Sequence, residues 1–559
     1  MKLFLLFILT IFPLFAQNTQ SLKKMIGNML IVGFEGKSID KNSQIIQDIN
    51  KYNLSGVILF DREYKERNVT KNIASPHQLQ TLTHTLSGLS NHHIFIALDQ
   101  EGGKVARLKE KYGFTKIPSA QKVAMLTPAQ ADKIYNTQAK MLHTNGINTN
   151  FAPVLDLAVN PKNKVIVQLE RSYGERPEKV VQYASLMIKN QNKFNVISVA
   201  KHFPGHGSSL GDSHKGFVDI SNTWSKKELE PYKQLINQNK LDVIMTAHVF
   251  NSHIDPIYPA TLSYKTNTQL LKQTLGFSGV IVSDDMQMAA ISKLYSLKEA
   301  VTLAINSGVD ILLFGNQLDK IDTKTLVDTI YKQVQNGAIS LRRIKDANRR
   351  INNLHTKAQI IRKAIKFSKT RRALTKKYIK EHYGLDVKNI RIKPKIIVLH
   401  WTAVENFEKS FQRLYPEKLF SDRKDIAAAS LLNVSAHFLV DREGRIYQLM
   451  PDNIMARHVI GLNYSSIGVE NVGGEGNKKE DLTPAQIQAN IKLVRYLKAK
   501  YPDIQYLIGH YEYKNMQSTP LWLEKDANYR TQKADPGKKF MHEVREGVKD
   551  LGLKSSDTQ

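Results

Sequence analysis

The chain has 559 residues and a formal net charge of +29, with 42% hydrophobic residues, 23% charged residues and no cysteine. Its length predicts two domains rather than one, and its apolar content excludes a largely disordered chain. The missing thiols exclude disulfides, thiolate metal ligands and lipid attachment at a cysteine. The charge favours acidic polymers. No motif of a nucleic-acid reader is present, so the expected partner surface is anionic wall or membrane, not nucleic acid. A generally basic soluble surface is the plain alternative.

The N-terminus reads Met1-Lys2, an apolar run from Leu3 to Ala16, then polar Gln17-Asn18. This predicts an export signal over residues 1–16, cleaved near Ala16, and a periplasmic or otherwise exported protein. Leu14 at the third position before that cut is atypical, which keeps an uncleaved anchor as the alternative. The run is short for a membrane span.

Eight apolar, β-branched runs follow: Met29 to Phe34, Leu54 to Phe60, His93 to Leu98, Ile147 to Val154, Val196 to Ala200, Leu241 to Ala247, Phe277 to Val282 and Val309 to Phe314. Unbroken apolar runs suit strands buried on both faces of a parallel sheet. Eight of them with helical segments between predict an α/β fold, a (β/α)₈ TIM-type barrel over 22–350, with a doubly wound sheet as the alternative. Polar residues directly follow several runs: Asp99-Gln100-Glu101-Gly102-Gly103, Lys201-His202, His248 and Ser283-Asp284-Asp285. In a barrel those strand ends carry the chemistry.

Residues 351–393 are rich in Lys and Arg and lack long apolar runs, which predicts a basic helical linker with a solvated face. A second domain over 394–550 opens on Ile396-Ile397-Val398-Leu399. Phe438-Leu439-Val440 and Ile446-Tyr447-Gln448-Leu449 flank a turn and predict a hairpin. Ser466 to Val469 and Tyr506 to Ile508 predict further strands. Thr483-Pro484 starts a helix with apolar residues at Ile487, Ile491, Val494 and Leu497. The expectation is a mixed α/β domain with a central β-sheet.

Three stretches of the first domain stand out. They are Leu98-Asp99-Gln100-Glu101-Gly102-Gly103-Lys104-Val105-Ala106-Arg107, then Lys201-His202-Phe203-Pro204-Gly205-His206-Gly207 with Asp212-Ser213-His214, and Gly279 through Met286. Together they resemble glycoside hydrolase family 3, in its β-N-acetylglucosaminidase branch. An aspartate after a buried strand suits a fixed nucleophile; the residues alone leave Asp284 and Asp285 open. The resemblance implies Asp284 as nucleophile and His214, oriented by Asp212, as acid/base. An Asp-His pair holds one imidazole tautomer and raises its pKa. The resemblance also implies sugar contacts by Asp99, Arg107, Arg171, Lys201 and His202, and no cofactor. For Arg107 and Arg171 an ordinary salt bridge is the alternative. His206 and His248 are expected to be packed or surface histidines.

The second domain carries Val398-Leu399-His400-Trp401-Thr402-Ala403, Ser435-Ala436-His437, Ser466-Ile467-Gly468-Val469-Glu470, Ile508-Gly509-His510 and Lys533-Ala534-Asp535-Pro536-Gly537. It resembles the N-acetylmuramoyl-L-alanine amidases with the peptidoglycan-recognition-protein-like fold. The resemblance implies Zn²⁺ held by His400, His510 and Asp535, with Glu470 as catalytic base and Lys533 at the oxyanion. Three protein ligands and an open position suit a catalytic zinc. The family's Trp-His after the hairpin is Arg457-His458 here, and His437 receives no role. The joint expectation is a bifunctional hydrolase of peptidoglycan and muropeptides in wall turnover or recycling. Two alternatives are a glycosidase whose second domain only binds wall, and a barrel with a different sugar preference.

Overall fold

The structure is a computed structural model that describes residues 19–556. The apolar run read as an export signal lies outside those residues. The described chain divides into two compact units that meet at Ala358 and Gln359.

In the first unit, eight parallel strands close into a barrel. They are β1 (Leu30–Gly33), β2 (Gly56–Ile58), β3 (Phe95–Leu98), β6 (Thr149–Asn150), β7 (Ile197–Phe203), β8 (Val243–Thr246), β9 (Val280–Asp285) and β10 (Ile311–Phe314). The alternative of an open doubly wound sheet is thereby excluded. Each strand falls on one of the eight apolar runs. Their side chains are buried because helices cover the outer face and Ile31, Phe95, Phe151, Val199 and Val282 line the interior. Immediately after β3 the chain folds into a small hairpin, β4 (Gln100–Gly102) with β5 (Val105–Ala106), paired antiparallel.

At the opposite end of the barrel, Asp310 precedes β10 and is fully buried. Its Oδ1 accepts from Arg343 Nη2 at 2.6 Å and from Arg350 Nη2 at 2.9 Å; its Oδ2 accepts from Arg350 Nε at 3.0 Å and from Ile281 N at 3.1 Å. Burial disfavours the anion, but Lys272, Arg350 and Arg343 outweigh it and hold the carboxyl well below its usual range.

The second unit is built on a six-stranded sheet ordered β11-β14-β13-β15-β12-β16. The strands are β11 (Ile361–Arg362), β12 (Ile396–Trp401), β13 (Phe438–Val440), β14 (Ile446–Gln448), β15 (Ser466–Asn471) and β16 (Tyr506–Gly509). β13 and β14 form the expected hairpin, antiparallel, while β15, β12 and β16 run parallel, with β16 at the edge. Alternation along β12 sends Ile397 and Leu399 into one core with the helix Pro484–Lys500, and Ile396 and Val398 into another on the opposite face.

Residues 351–393, expected as a helical linker, divide between the two units. Residues up to 359 complete the helix Leu341–Gln359, which buries Ile344, Ala347, Ile351 and Leu354 against the barrel. The remainder supplies β11 and the helix Lys369–Tyr383, whose Tyr378, Ile379 and Tyr383 are buried in the second unit. Its lysines ride on the outer face, so composition reads as solvated although one stripe is core.

Replacing Asp310 by Asn removes the buried carboxylate shared by Arg343, Arg350 and Lys272 and leaves the two arginines only the more exposed Asp346. The expected cost is about 3–5 kcal/mol of stability, read as a fall in the denaturant midpoint of the first unit.

Candidate functional sites

The first site lies at the C-terminal ends of the barrel strands. The β4–β5 hairpin turns the chain back so that Arg107 N donates to Asp99 O at 3.2 Å and Arg107 Nη2 donates to Asp99 Oδ2 at 2.9 Å. Lys201, at the end of β7, reaches across with Nζ 2.8 Å from Asp99 Oδ1 and 2.8 Å from Glu101 Oε1. Glu101 in turn receives both Nε and Nη2 of Arg171 at 2.8 Å. Burial works against every one of these charges. The ion pairs outweigh it: Asp99 and Glu101 are held below the usual carboxylate range, and Lys201 above its own.

Arg171 also donates to Nε2 of His202 at 3.2 Å. A guanidinium has no lone pair to offer, so Nε2 accepts and Nδ1 carries the hydrogen. Nδ1 then donates to Asp156 Oδ2 at 2.6 Å. Asp61 closes the row on the other side: its Oδ2 accepts from Lys109 Nζ at 2.5 Å, and its Oδ1 lies 3.9 Å from Arg107 Nη1.

Asp284 and Asp285 end β9 and differ electrostatically. Burial raises both, but His248, His202 and His214 pull Asp284 below its ordinary value. Asp285 is pushed up to about 6 by burial, only partly relieved by the backbone N–H groups of Gln287 and Gly315. Asp284 is therefore the stronger acid of the pair and loses its proton first.

His214 sits on the loop after β7 and is half exposed. Asp212 Oδ1 accepts from the His214 backbone N–H and lies 3.0 Å from its Nδ1. Burial opposes the imidazolium, yet the hydrogen bond to Asp212 and the charges of Asp284 and Asp212 raise the pKa above the ordinary histidine value. The loop is tied toward Asp284 because Ala290 N, just past β9, donates to Ser213 O at 3.1 Å. Beneath the loop's start, Glu228 Oε2 accepts from Gly207 N at 3.0 Å. A Cβ at Gly205 would stand 2.7 Å from Glu228 Cβ, so only glycine fits there. His206 and His248 are buried, as packed histidines; burial lowers His206 to about 4 and also lowers His248.

The second site is at the end of the β15-β12-β16 ladder. His400 pairs in register with Glu470, and Leu399 pairs with Gly509, which sets His510 level with His400. Asp535 arrives from the turn before the C-terminal helix Lys538–Gly547. Nδ1 of His400 lies 3.0 Å from Nδ1 of His510, and Asp535 Oδ2 lies 2.9 Å from the latter and 3.2 Å from the former. All three residues are buried. Ligands bound at about 2.0–2.1 Å in a tetrahedron stand about 3.3 Å from one another. This triangle of two nitrogens and one oxygen is close to that size, so the residues fit a zinc ion. Burial lowers His510 to about 4, which leaves its ring neutral with a lone pair to give.

Glu470 is pushed up to about 7 by burial, against the pull of His400. Its Oε2 is buried with no hydrogen-bond partner among the described residues. Lys533 acts on both Glu470 and His510 through its charge. His437 is structural: Nε2 faces Ile454 O at 2.8 Å and Nδ1 accepts from Gly468 N at 2.9 Å.

The model of the glycosyl hydrolase family 3 N-terminal domain matches residues 21–354. The chain belongs to glycosyl hydrolase family 3. A second model, N-acetylmuramoyl-L-alanine amidase, matches residues 391–538, so the family 3 barrel is fused to an amidase-like unit. Among relatives, β-hexosaminidase A of Pseudoalteromonas piscicida is 34% identical over 47% of this chain and 46% of its own length. The β-hexosaminidase of Alkalilimnicola ehrlichii is 33% identical over 53% of this chain and 83% of its own. The crystal structure of β-N-acetylhexosaminidase from Beutenbergia cavernae superposes with a TM-score of 0.53 at 25% identity, over 60% of this chain and 98% of that one.

Asp99, Arg107, Arg171, Lys201 and His202 of the family 3 unit join one continuous network, and Arg171 is both salt bridge and neighbour of His202. Sequence reasoning assigned no role to Asp61, Glu101 or Asp156. Glu101 was visible inside the Asp99-Gln100-Glu101 stretch, whereas Asp156 follows an apolar run with nothing to mark it. Replacing Asp212 by Asn removes the anion beside the imidazolium and keeps an amide oxygen that can accept. The His214 pKa is expected to fall, as read by NMR titration of its ring; an unchanged value means that Asp284 alone sets it.

Proposed function

We propose that the family 3 unit is a retaining β-N-acetylglucosaminidase and the amidase-like unit a zinc-dependent N-acetylmuramoyl-L-alanine amidase, together degrading peptidoglycan fragments. The observation that carries the first half is the pairing of an anionic Asp284 with the His214–Asp212 dyad at one barrel mouth. In this reading Asp284 attacks the anomeric carbon while protonated His214 gives its proton to the departing oxygen, leaving a glycosyl ester on Asp284. Water then attacks the same carbon, His214 takes its proton, and the ester breaks to free Asp284. Asp99 accepts from the sugar hydroxyls, held by Arg107 and Lys201. The first step needs the imidazolium, so the rate falls as pH rises through the raised His214 pKa.

For the amide, His400, His510 and Asp535 would hold the ion. When bound, it supplies Lewis-acid polarisation of the carbonyl and lowers the pKa of a water molecule. Glu470 is suited to take the water's proton and pass it to the leaving amine, because burial has brought it to about 7. Lys533 offers a positive charge to the developing oxyanion. Both bonds flank the same muramic sugar, which gives the fusion its chemical sense. We extend the proposal to an exported protein, on the strength of the apolar run from Leu3 to Ala16.

Asp284→Asn is expected to lower hydrolysis of an aryl N-acetylglucosaminide by about 10³-fold or more while sparing amide cleavage. Glu470→Gln is expected to do the reverse, lowering amide cleavage by about 10²–10⁴-fold with zinc still bound. Mass spectrometry of muropeptide digests reads both. Equal hydrolysis of the aryl glucoside would contradict the sugar preference, and intact sugar activity in Asp284→Asn would contradict the nucleophile. N-terminal sequencing of protein from the native cell is expected to begin near Gln17; a chain still starting at Met1 in the cytosol refutes export.

A further inference from the structure

His400 is held from behind by a row of buried groups. Its Nε2 lies 3.0 Å from Nδ1 of His458. Nε2 of His458 lies 3.1 Å from Ser466 Oγ, and that hydroxyl lies 2.8 Å from the carbonyl oxygen of Leu462. One assignment of hydrogens satisfies the whole row. A carbonyl only accepts, so the Ser466 hydroxyl donates to Leu462. Its oxygen then accepts from Nε2–H of His458. Nδ1 of His458 is left with its lone pair, and it accepts Nε2–H from His400. The other nitrogen of His400, Nδ1, is therefore bare, and it is the atom that faces His510 and Asp535.

The His458 ring has little freedom to be elsewhere. Its backbone N–H and that of Val459 both donate to Asn463 Oδ1, at 2.8 and 2.9 Å. Asn463 donates to the Tyr383 hydroxyl at 3.0 Å. Gly468 passes directly against the ring: a Cβ there would stand 2.6 Å from His458 Cγ. The ring of His437 packs edge-on at 5.8 Å. His458 is thus a buried neighbour of His400, not a surface for sugar or peptide.

We propose that His458, backed by Ser466, is a positioning residue that fixes His400 as its Nε2–H tautomer and so presents Nδ1 to the metal. The inference rests on the zinc reading above. Metal-binding histidines usually donate their second N–H to a carboxylate, a carbonyl or water. Here the acceptor is an uncharged ring. It orients His400 without adding an anion, so of the groups that orient or bind the ion only Asp535 offsets its charge.

The test compares zinc affinity, by competition with a chromogenic chelator, among the full-length protein and its His458→Ala, His458→Asn and Ser466→Ala variants. Visible spectra of the cobalt-loaded proteins and thermal melts in chelator accompany each. His458→Ala is expected to weaken zinc binding by about 10–100-fold and to alter the cobalt bands. Ser466→Ala is expected to lose less, and to add nothing in the His458→Ala background. His458→Asn is expected to recover most of the affinity, because its amide oxygen falls near the place of Nδ1. Wild-type affinity in His458→Ala, or no recovery in His458→Asn, overturns the inference while the zinc reading stands. If His458→Ala does not fold, His458→Asn and Ser466→Ala carry the comparison. Absence of zinc binding by the unmutated protein overturns both.

Discussion

The barrel mouth depends on charges that are tolerable only in each other's company. Lys109, Asp61, Arg107, Asp99, Lys201, Glu101 and Arg171 follow one another with alternating sign. Removing one from water costs several kcal/mol, and a neighbour of opposite sign at hydrogen-bond distance offsets that cost. Lys201 is the link on which the row turns. It joins the hairpin after β3 to the end of β7, and it is the cation that Asp99 and Glu101 share. Groups held this way are oriented before any ligand arrives, so little reorganisation remains for the reacting complex.

The second unit solves the same problem with opposite means. Its central polar groups are imidazoles, those of His458 and His510 lowered by burial, with a carboxylate held below its usual range, Asp535, and a second carboxyl, Glu470, pushed up to about 7 by burial. A cluster of lone pairs facing inward is poorly stable by itself and well suited to a small cation. The ionic network of the barrel gives each of its charges an opposite neighbour within the protein. The cluster of His400, His510 and Asp535 has a donor set that could hold a metal ion.

Most of the barrel was legible because unbroken apolar β-branched runs can only be strands covered on both sides. The ends of those strands were less legible. β7 continues through Lys201 and His202, since residues facing the mouth are polar while the backbone ladder persists. The run from Ile147 to Val154 contains only a two-residue strand, β6. The helix Lys369–Tyr383 was expected as part of a solvated linker, because its lysines mask the stripe of buried tyrosine and isoleucine that makes it part of the second unit. Site residues standing inside motifs, such as His400, His510 and Asp535, were visible in the chain. His458 and Ser466 stood in stretches that the sequence marked, but their contacts behind His400, like that of Asp156 with His202, form only when separate strands and loops meet.

The pairing of His400 with Glu470 across β12 and β15, and the placing of His510 beside them by β16, makes the backbone ladder the ruler of the second site. Slipping one strand by a single residue would turn its side chain to the far face. Spacing among these groups is thus indifferent to what the intervening loops contain. Exposed parts of the stretch from Tyr511 to Gln532 can change, provided that its buried Tyr513, Met516 and Tyr529 stay packed and that it returns Lys533 and Asp535 to one point. Such a site can acquire a new wall for its groove without retuning its chemistry.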